Sequence, residues 1–110
     1  MDDDYVEAVL DLVATIPSGR VMTYGTVAEV VSEQAVRDGG RPRGGPRQVG
    51  QVMSRAGSGV PWWRVVNAAG RPPARHTTRA LALLADEGTP LTADGTRVAL
   101  RRAIWFPDGD

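Results

Sequence analysis

The residues best suited to chemistry or binding lie in the segment 60–66, which reads Val-Pro-Trp-Trp-Arg-Val-Val. Val65 and Val66 favour an extended backbone that packs against a core. Pro61 restricts the backbone on entering this segment, so the indoles of Trp62 and Trp63 are held on a stiff support. Because buried aromatic side chains usually belong to a core, the segment alone fits either a functional site or a strand with two packed tryptophans.

Basic residues concentrate in the middle of a chain whose formal net charge is zero. Residues 37–79 contain nine arginines and one acidic residue, Asp38, which gives this stretch a charge of +8. The acidic residues lie mainly before it and near the C-terminus. An arginine-rich proteome would explain the absence of lysine but not this clustering. The pattern therefore predicts a face that binds a polyanion.

Several kinds of chemistry are excluded by composition. The chain has no cysteine, which rules out disulfides, thiolate catalysis and cysteine metal sites. Its one histidine, His76, cannot form a zinc site alone, so we expect neither a metal nor a cofactor. An enzyme using Ser54, Ser58 or Thr77 is disfavoured, because His76 directly precedes Thr77 and is poorly placed as its base.

Apolar periodicity predicts helices in the first half of the chain. Residues 2–16 repeat apolar side chains every 3.6 positions. A second helix begins with Thr23 as its N-cap, or with a capping box formed by Thr26 and Glu29. Residues 38–45 follow as a flexible basic loop, in which we expect the arginines to be solvated.

A third helix begins at Pro46, a residue that favours the first helical position. Four of its residues form an apolar stripe with helical spacing, and we expect them in the core: Val49, Val52, Met53 and Ala56. The opposite face presents Arg47, Gln48, Gln51, Ser54 and Arg55. Gly50 costs ~1 kcal/mol relative to alanine in a helix, which suggests that another molecule approaches the backbone closely there; a DNA backbone or sugar would qualify.

A fourth helix is predicted from Thr77 or Thr78, as its cap, to Glu87. Residues 91–98 read as a hairpin turning on Asp94-Gly95. Together these elements predict one domain over residues 1–110, mostly α with a short β element. The second and third helices form a winged-helix-like variant of the helix-turn-helix, because their connecting loop is longer than the usual short turn.

Three motifs together resemble the C-terminal domain of the 6-O-alkylguanine-DNA alkyltransferases. They are Thr23-Tyr24-Gly25-x-Val27-Ala28, Pro46-Arg47-Gln48-Val49-Gly50-Gln51-x-Met53 and Pro61-Trp62-x-Arg64-Val65-Val66-Asn67. Trp62 stands where that family has its alkyl-accepting cysteine, and Trp63 stands where it has a histidine. The chain therefore resembles the alkyltransferase-like proteins, which carry tryptophan at the cysteine position.

The resemblance implies roles for individual residues. The residue like Arg47 is a finger that fills the gap left by an extruded nucleotide, while the one like Tyr24 presses the adjacent phosphate. The helix that carries the finger lies in the minor groove, where sequence readout is degenerate. The residue like Arg75 closes the lesion pocket and can make a cation–π contact. The implied DNA contacts are Tyr24, Arg47, Gln48, Gly50, Gln51 and Arg64, and the implied lesion pocket is Tyr24, Pro61, Trp62, Val65 and Arg75.

Alkyl transfer is not expected, because it requires a thiolate activated through a neighbouring histidine. Trp62 has no nucleophilic atom, and the indole of Trp63 is a hydrogen-bond donor only. We expect Trp63 to pack, and Glu87 to have nothing left to orient. The resemblance thus implies a non-enzymatic sensor that binds 6-O-alkylguanine in duplex DNA, flips it and flags it for nucleotide-excision repair.

The expected partners are double-stranded DNA and nucleotide-excision repair proteins, with the protein monomeric, in the cytoplasm and associated with the nucleoid. Neither a membrane segment nor a secretory signal is expected, since residues 2–4 are aspartates. The alternative is a winged-helix regulator that reads sequence without base flipping. A dimer and palindromic target sites would favour that alternative.

Overall fold

The computed structural model describes residues 2–107. Its regular elements are α1 (Asp3–Ala14), β1 (Met22–Thr23), α2 (Tyr24–Arg37), α3 (Pro46–Ala56), β2 (Val65–Val66), α4 (Thr77–Asp86) and α5 (Leu100–Ala103). Three single 3₁₀ turns occupy Gly57–Gly59, Trp62–Arg64 and Ala74–His76. The prediction of a mostly helical fold with a short β element is confirmed.

Helix α1 forms as its apolar period predicts and packs on α2 and α3. The Asp2 side chain accepts a hydrogen bond from the backbone N–H of Asp4 at 2.8 Å and so caps the helix. The buried face of the helix consists of Tyr5, Val9, Leu12 and Val13. These side chains form the main core with buried residues of α2 and α3, including Val27, Val31, Val49 and Val52.

The start of α2 is fixed by a reciprocal cap. The hydroxyl of Thr23 accepts from the N–H of Thr26 at 3.0 Å, and the hydroxyl of Thr26 accepts from the N–H of Thr23 at 2.9 Å. Thr23 is therefore the N-cap, as predicted, whereas the alternative box of Thr26 with Glu29 is wrong because Thr26 is already the third residue of the helix. This cap places Tyr24 at the first helical position.

A two-stranded parallel sheet brings the start of α2 beside the tryptophan segment. Met22 pairs with Val65 and Thr23 pairs with Val66, and all four side chains are buried. The predicted extended segment is shorter than expected, because residues 62–64 form a 3₁₀ turn in which the N–H of Arg64 donates to the carbonyl of Pro61 at 3.0 Å. The interpretation as a strand carrying two tryptophans is therefore wrong.

The loop 38–45 is more ordered than a solvated linker. The hydroxyl of Ser32 donates to the carbonyl of Arg43 at 2.9 Å and accepts from its N–H at 3.2 Å. The guanidinium of Arg43 forms an ion pair with Asp2 and lies 5.6 Å from the centre of the Tyr5 ring. Arg43 thus makes contacts that the prediction did not include, but its side chain stays 44% exposed, and Arg41 is exposed as well.

The C-terminal part departs most from prediction. The hydroxyl of Thr77 donates back to the carbonyl of Pro73 at 3.1 Å, so α4 has no side-chain cap of the predicted kind. The predicted hairpin is reduced to one antiparallel bridge between Leu91 and Val98. Helix α5 was not predicted. Among residues 2–107, no helix has both the length and the apolar character needed to cross a membrane.

Candidate nucleic-acid interface

A cavity of about 370 Å³ lies between α3, the Trp62 turn and the segment leading into α4. Its size is within the range of small-molecule pockets. Twelve residues line it: Tyr24, Gly50, Met53, Ser54, Gly57, Ser58, Trp62, Pro73, Ala74, Arg75, His76 and Arg79. Three of these residues are basic and none is acidic. The lining is therefore complementary to the negative charge of a nucleic acid and unsuited to a cation.

Four of the predicted site residues meet at this cavity: Tyr24, Gly50, Trp62 and Arg75. A β-carbon added to Gly50 would have no neighbour within 4 Å. The glycine therefore serves no close internal packing and leaves its backbone open to a molecule in the cavity. Tyr24 is half-buried, and burial raises the pKa of its hydroxyl, which keeps the phenol neutral.

The exposed face of α3 continues from the cavity. Arg47, Gly50, Gln51 and Ser54 follow the spacing i, i+3, i+4 and i+7, which places them on one side of the helix. Arg47 lies in the first turn and is exposed, so its side chain is free to project beyond the helix end. Arg47 and Gln51 are both exposed on this face of α3, and their contacts with DNA stay predictions.

Gln48 has a structural role that the sequence interpretation missed. Its side-chain oxygen accepts a hydrogen bond from the N–H of Gly45 at 2.9 Å. Because Gly45 precedes the first residue of α3, this bond fixes the beginning of the helix. Gln48 therefore helps to hold the start of α3, and its contact with DNA stays a prediction.

Trp62 is surrounded by aromatic and basic side chains. Its ring lies 5.7 Å from that of Trp63 in an edge-to-face arrangement with an interplanar angle of 89°, and 5.5 Å from the ring of His76. The guanidinium carbon of Arg79 lies 5.9 Å from the centre of the Trp62 ring, within cation–π range. His76 and Arg79 were not predicted as site residues, because His76 lies in a 3₁₀ turn and Arg79 in α4, and no local sequence pattern places them beside Trp62.

Behind Trp62, a network of polar contacts holds Trp63 and Arg64. Trp63 Nε1 donates to Glu87 Oε2 at 3.0 Å, and Arg64 Nε donates to Glu87 Oε1 at 3.0 Å. A second Arg64 nitrogen completes the ion pair with Glu87, and the third donates to the carbonyl of Ile16 at 2.8 Å. The backbone N–H of Gly19 also reaches Glu87, at 3.4 Å.

This network corrects two expectations. Arg64 is not a DNA contact, since all three guanidinium nitrogens are used inside the protein and its side chain is only 16% exposed. Glu87 orients the indole of Trp63, although we expected it to have nothing to orient. Burial raises the pKa of Glu87, but the hydrogen bonds from Arg64, Trp63 and Gly19, with the charge of Arg64, outweigh it and hold that pKa below its usual range.

Two residues of the predicted lesion pocket lie elsewhere. Val65 is fully buried in β2, where it packs in the main core, so it cannot line an open cavity. Pro61 is half-buried and directs the chain into the Trp62 turn, but it lies outside the cavity wall. Both residues flank the 62–64 turn that carries Trp62.

Two other recesses flank the cavity residues. One of about 420 Å³ shares Tyr24, Pro73 and Ala74 with it and is also lined by Arg71. A larger groove of about 820 Å³ runs between α2 and the loop 38–45, but it is lined by Glu29 and Glu33. These carboxylates make the larger groove less suitable for a polyanion than the Trp62 cavity.

Comparisons with known proteins identify the family of this chain. Residues 4–89 match the model of the 6-O-methylguanine DNA methyltransferase DNA-binding domain. The chain belongs to this family. The resemblance to alkyltransferase-like proteins inferred from the three sequence motifs is thereby confirmed.

Related proteins are known from bacteria and from yeast. A protein of Escherichia coli K12 named DNA base-flipping protein is 38% identical over 116 residues, covering 94% of this chain and 76% of its own length. A protein of the same name from Vibrio parahaemolyticus is 31% identical and covers 96% of this chain and 99% of itself. The crystal structure of Schizosaccharomyces pombe Atl1 in complex with damaged DNA containing O6-carboxymethylguanine matches with a TM-score of 0.74 and 33% identity, covering 97% of this chain and 99% of Atl1.

Proposed function

We propose that this protein is a non-enzymatic sensor of DNA damage. It binds duplex DNA containing 6-O-alkylguanine, flips the modified base into the Trp62 cavity and flags the lesion for nucleotide-excision repair. The observation that carries this proposal is the cavity itself, which is open at Gly50, walled by Trp62 and lined by basic residues without a carboxylate.

The surface around the cavity supports binding from the minor groove. Arg47 projects from the first turn of α3, on the face that also presents Gly50 to the cavity. A flipped base leaves its former neighbours unstacked, and a planar guanidinium can stack between them. Tyr24 is held rigidly at the cavity wall by the Thr23 cap, where it can press on the backbone of the flipped nucleotide.

The names of related proteins support the same proposal. The Escherichia coli and Vibrio parahaemolyticus relatives are named for base flipping, and Atl1 was crystallised with damaged DNA. We extend these properties to the present chain because its cavity, its Arg47 helix and its tryptophan segment occur together in one family fold.

Holding the lesion without repairing it follows from the cavity chemistry. Trp62 supplies no nucleophile, and the chain contains no cysteine. Ser54, Ser58 and His76 line the same cavity. Within residues 2–107, however, no hydrogen bond joins His76 to either serine hydroxyl, so the arrangement of a nucleophile with its base is not formed.

The direct test is a pair of binding titrations at one salt concentration. Duplexes of identical sequence carry either guanine or 6-O-methylguanine, and fluorescence anisotropy reports binding. We expect tighter binding to the modified duplex and no change in protein mass after incubation. Equal affinity for both duplexes would argue against lesion sensing, and a methylated protein would argue against the non-enzymatic mechanism.

Recruitment of repair proteins needs a separate measurement. A plasmid with one 6-O-methylguanine can be incubated with purified nucleotide-excision proteins, with and without the sensor. We expect the sensor to increase incision beside the lesion, and a variant that does not bind lesions to give no increase. The rival function, a winged-helix regulator, predicts instead that selection from random duplexes yields a preferred, often palindromic, sequence.

A further inference from the structure

The aromatic wall of the cavity determines where the alkyl group of a lesion would lie. Trp62 presents the largest apolar ring among the lining residues. The carbon atoms of a substituent on a flipped guanine gain most by packing against this ring, since removal of apolar surface from water is favourable. Side chains adjacent to the Trp62 ring are therefore the ones that meet the end of the substituent.

Those adjacent side chains are basic. The guanidinium carbon of Arg79 lies 5.9 Å from the ring centre, and the His76 ring centre lies 5.5 Å from it. Arg75 lines the same cavity. The ion pairs within residues 2–107 are Arg43 with Asp2 and Arg64 with Glu87, so neither Arg75 nor Arg79 has a carboxylate partner there.

The carboxylate behind Trp63 is already paired within the protein. Glu87 lies behind Trp63 and is bound by Arg64, and no carboxylate lines the cavity. A guanidinium is charged at every physiological pH and offers paired donors that match a carboxylate.

We propose that the cavity prefers lesions whose substituent ends in a negative charge, such as a carboxymethyl group, over neutral substituents of the same size. Arg79 is the residue that confers this preference, assisted by Arg75 and by a ring N–H of His76. The inference rests on the proposed function, because it requires the lesion base to enter the cavity.

The experiment uses four duplexes of one sequence, with guanine, 6-O-methylguanine, 6-O-carboxymethylguanine or 6-O-carbamoylmethylguanine at the same position. The last two differ by a carboxylate against an amide of nearly equal size. For the unmodified protein we expect the carboxymethyl duplex to bind about tenfold more tightly than the carbamoylmethyl duplex, equivalent to ~1.4 kcal/mol.

Substitutions identify the residue responsible. Arg79→Gln should reduce the tenfold ratio of carboxymethyl to carbamoylmethyl binding to about twofold or less, whereas Arg79→Lys should keep most of the ratio. Arg37→Gln is the matched control for loss of one charge. It lies at the last residue of α2, about 20 Å along the helix from Tyr24 at the cavity, and should preserve the full ratio.

The outcomes separate this inference from the proposed function. If modified and unmodified guanine bind equally, the proposed function fails. If all lesions bind better than guanine but the carboxymethyl and carbamoylmethyl duplexes bind equally, the preference for negative charge is refuted and the sensor function stands. If Arg79→Gln weakens all four duplexes by the same factor, Arg79 contacts DNA phosphate and its assignment to the adduct is overturned.

Discussion

The two adjacent tryptophans have opposite surroundings. Trp63 is anchored: its indole N–H is bound by Glu87, whose carboxylate is in turn held by Arg64 and approached by Gly19. Trp62 faces a cavity lined by basic side chains that have no carboxylate partner within residues 2–107. One side of this pair is a closed polar network, and the other is an open binding surface.

The 3₁₀ turn explains how neighbouring residues acquire such different roles. With three residues per turn, successive side chains point about 120° apart, whereas on a strand they would point to opposite faces of one sheet. Trp62 is thereby directed to the cavity, and Trp63 and Arg64 are directed towards Glu87. Residues 62–64 therefore provide both the fixed polar network on one side and the open cavity wall formed by Trp62 on the other.

The largest expected effect is on stability, from breaking the closed side of the pair. Arg64→Ala leaves the Glu87 carboxylate with fewer donors and removes the bond to the Ile16 carbonyl. We expect a loss of about 3 kcal/mol in the free energy of unfolding, the lower end for a broken buried pair, because the Arg64 and Glu87 side chains keep 16% and 14% exposure. Urea denaturation measures it.

Arg101→Ala is the control for this prediction, since Arg101 is an exposed arginine on α5. It should change the free energy of unfolding by less than about 0.5 kcal/mol. If Arg64→Ala were as mild as this control but reduced DNA affinity, Arg64 would be a DNA contact after all.

The next largest effect is on DNA binding, from removing the Arg47 side chain. Arg47→Ala should weaken binding of the methylguanine duplex about tenfold or more, because the flipped state loses the group that replaces the base in the stack. Binding of undamaged duplex should fall only two- to threefold, as expected when one charge is lost from a large basic surface. Equal losses on both duplexes would make Arg47 a general electrostatic contact. Gln51→Ala, one turn further along the same face, tests whether the effect is specific to the finger position.

A smaller effect distinguishes the role of Trp62 in lesion preference from the role of Trp63 in stability. Trp62→Ala should reduce the preference for alkylguanine over guanine about fivefold, the equivalent of roughly 40 Å² of substituent surface at ~25 cal/mol per Å², with general DNA affinity almost unchanged. Trp63→Phe keeps an aromatic ring but removes the bond to Glu87, so it should lower stability and leave the lesion preference intact. A reversal of these two results would show that Trp62 is core and Trp63 the recognition surface.

The different surroundings of the two tryptophans could be predicted from the sequence only in part, for physical reasons. Helices with a clear apolar period, α1 to α3, were predicted with nearly correct bounds, and the parallel pairing of β1 with β2 then brought Tyr24 close to Trp62. Local patterns do not reveal partners that are distant in sequence. Arg64 and Glu87 are separated by 23 residues, and only the fold shows that the arginine is used internally.

The remaining errors have the same origin or come from short elements. Helix α5 has four residues, too few to display a period, and the predicted hairpin retains one bridge. Arg79 was assigned only to a helix, because nothing in the sequence indicates that α4 turns its first residues towards Trp62. The assignments of Arg47, Gln51 and Arg75 as contacts with DNA or with the lesion remain predictions.

The last prediction is an unchanged result: placing a cysteine thiol at position 62, on the cavity side, should not produce alkyl transfer. Trp62→Cys should not transfer an alkyl group from methylguanine DNA, because the thiol lacks an activating base and keeps the pKa of an ordinary cysteine, about 8.5. Trp63 is a donor only and is already committed to Glu87. The centre of the His76 ring lies 5.5 Å from the centre of the Trp62 ring, whereas a cysteine sulfur, one bond beyond the β-carbon, would lie closer to the backbone. Mass spectrometry after incubation with the methylated duplex should therefore show unmodified protein.

In the double variant Trp62→Cys with Trp63→His, a histidine would stand beside the thiol with Glu87 behind it, so any transfer should appear there first. Transfer by the single variant would mean that another group in the cavity can activate a thiol.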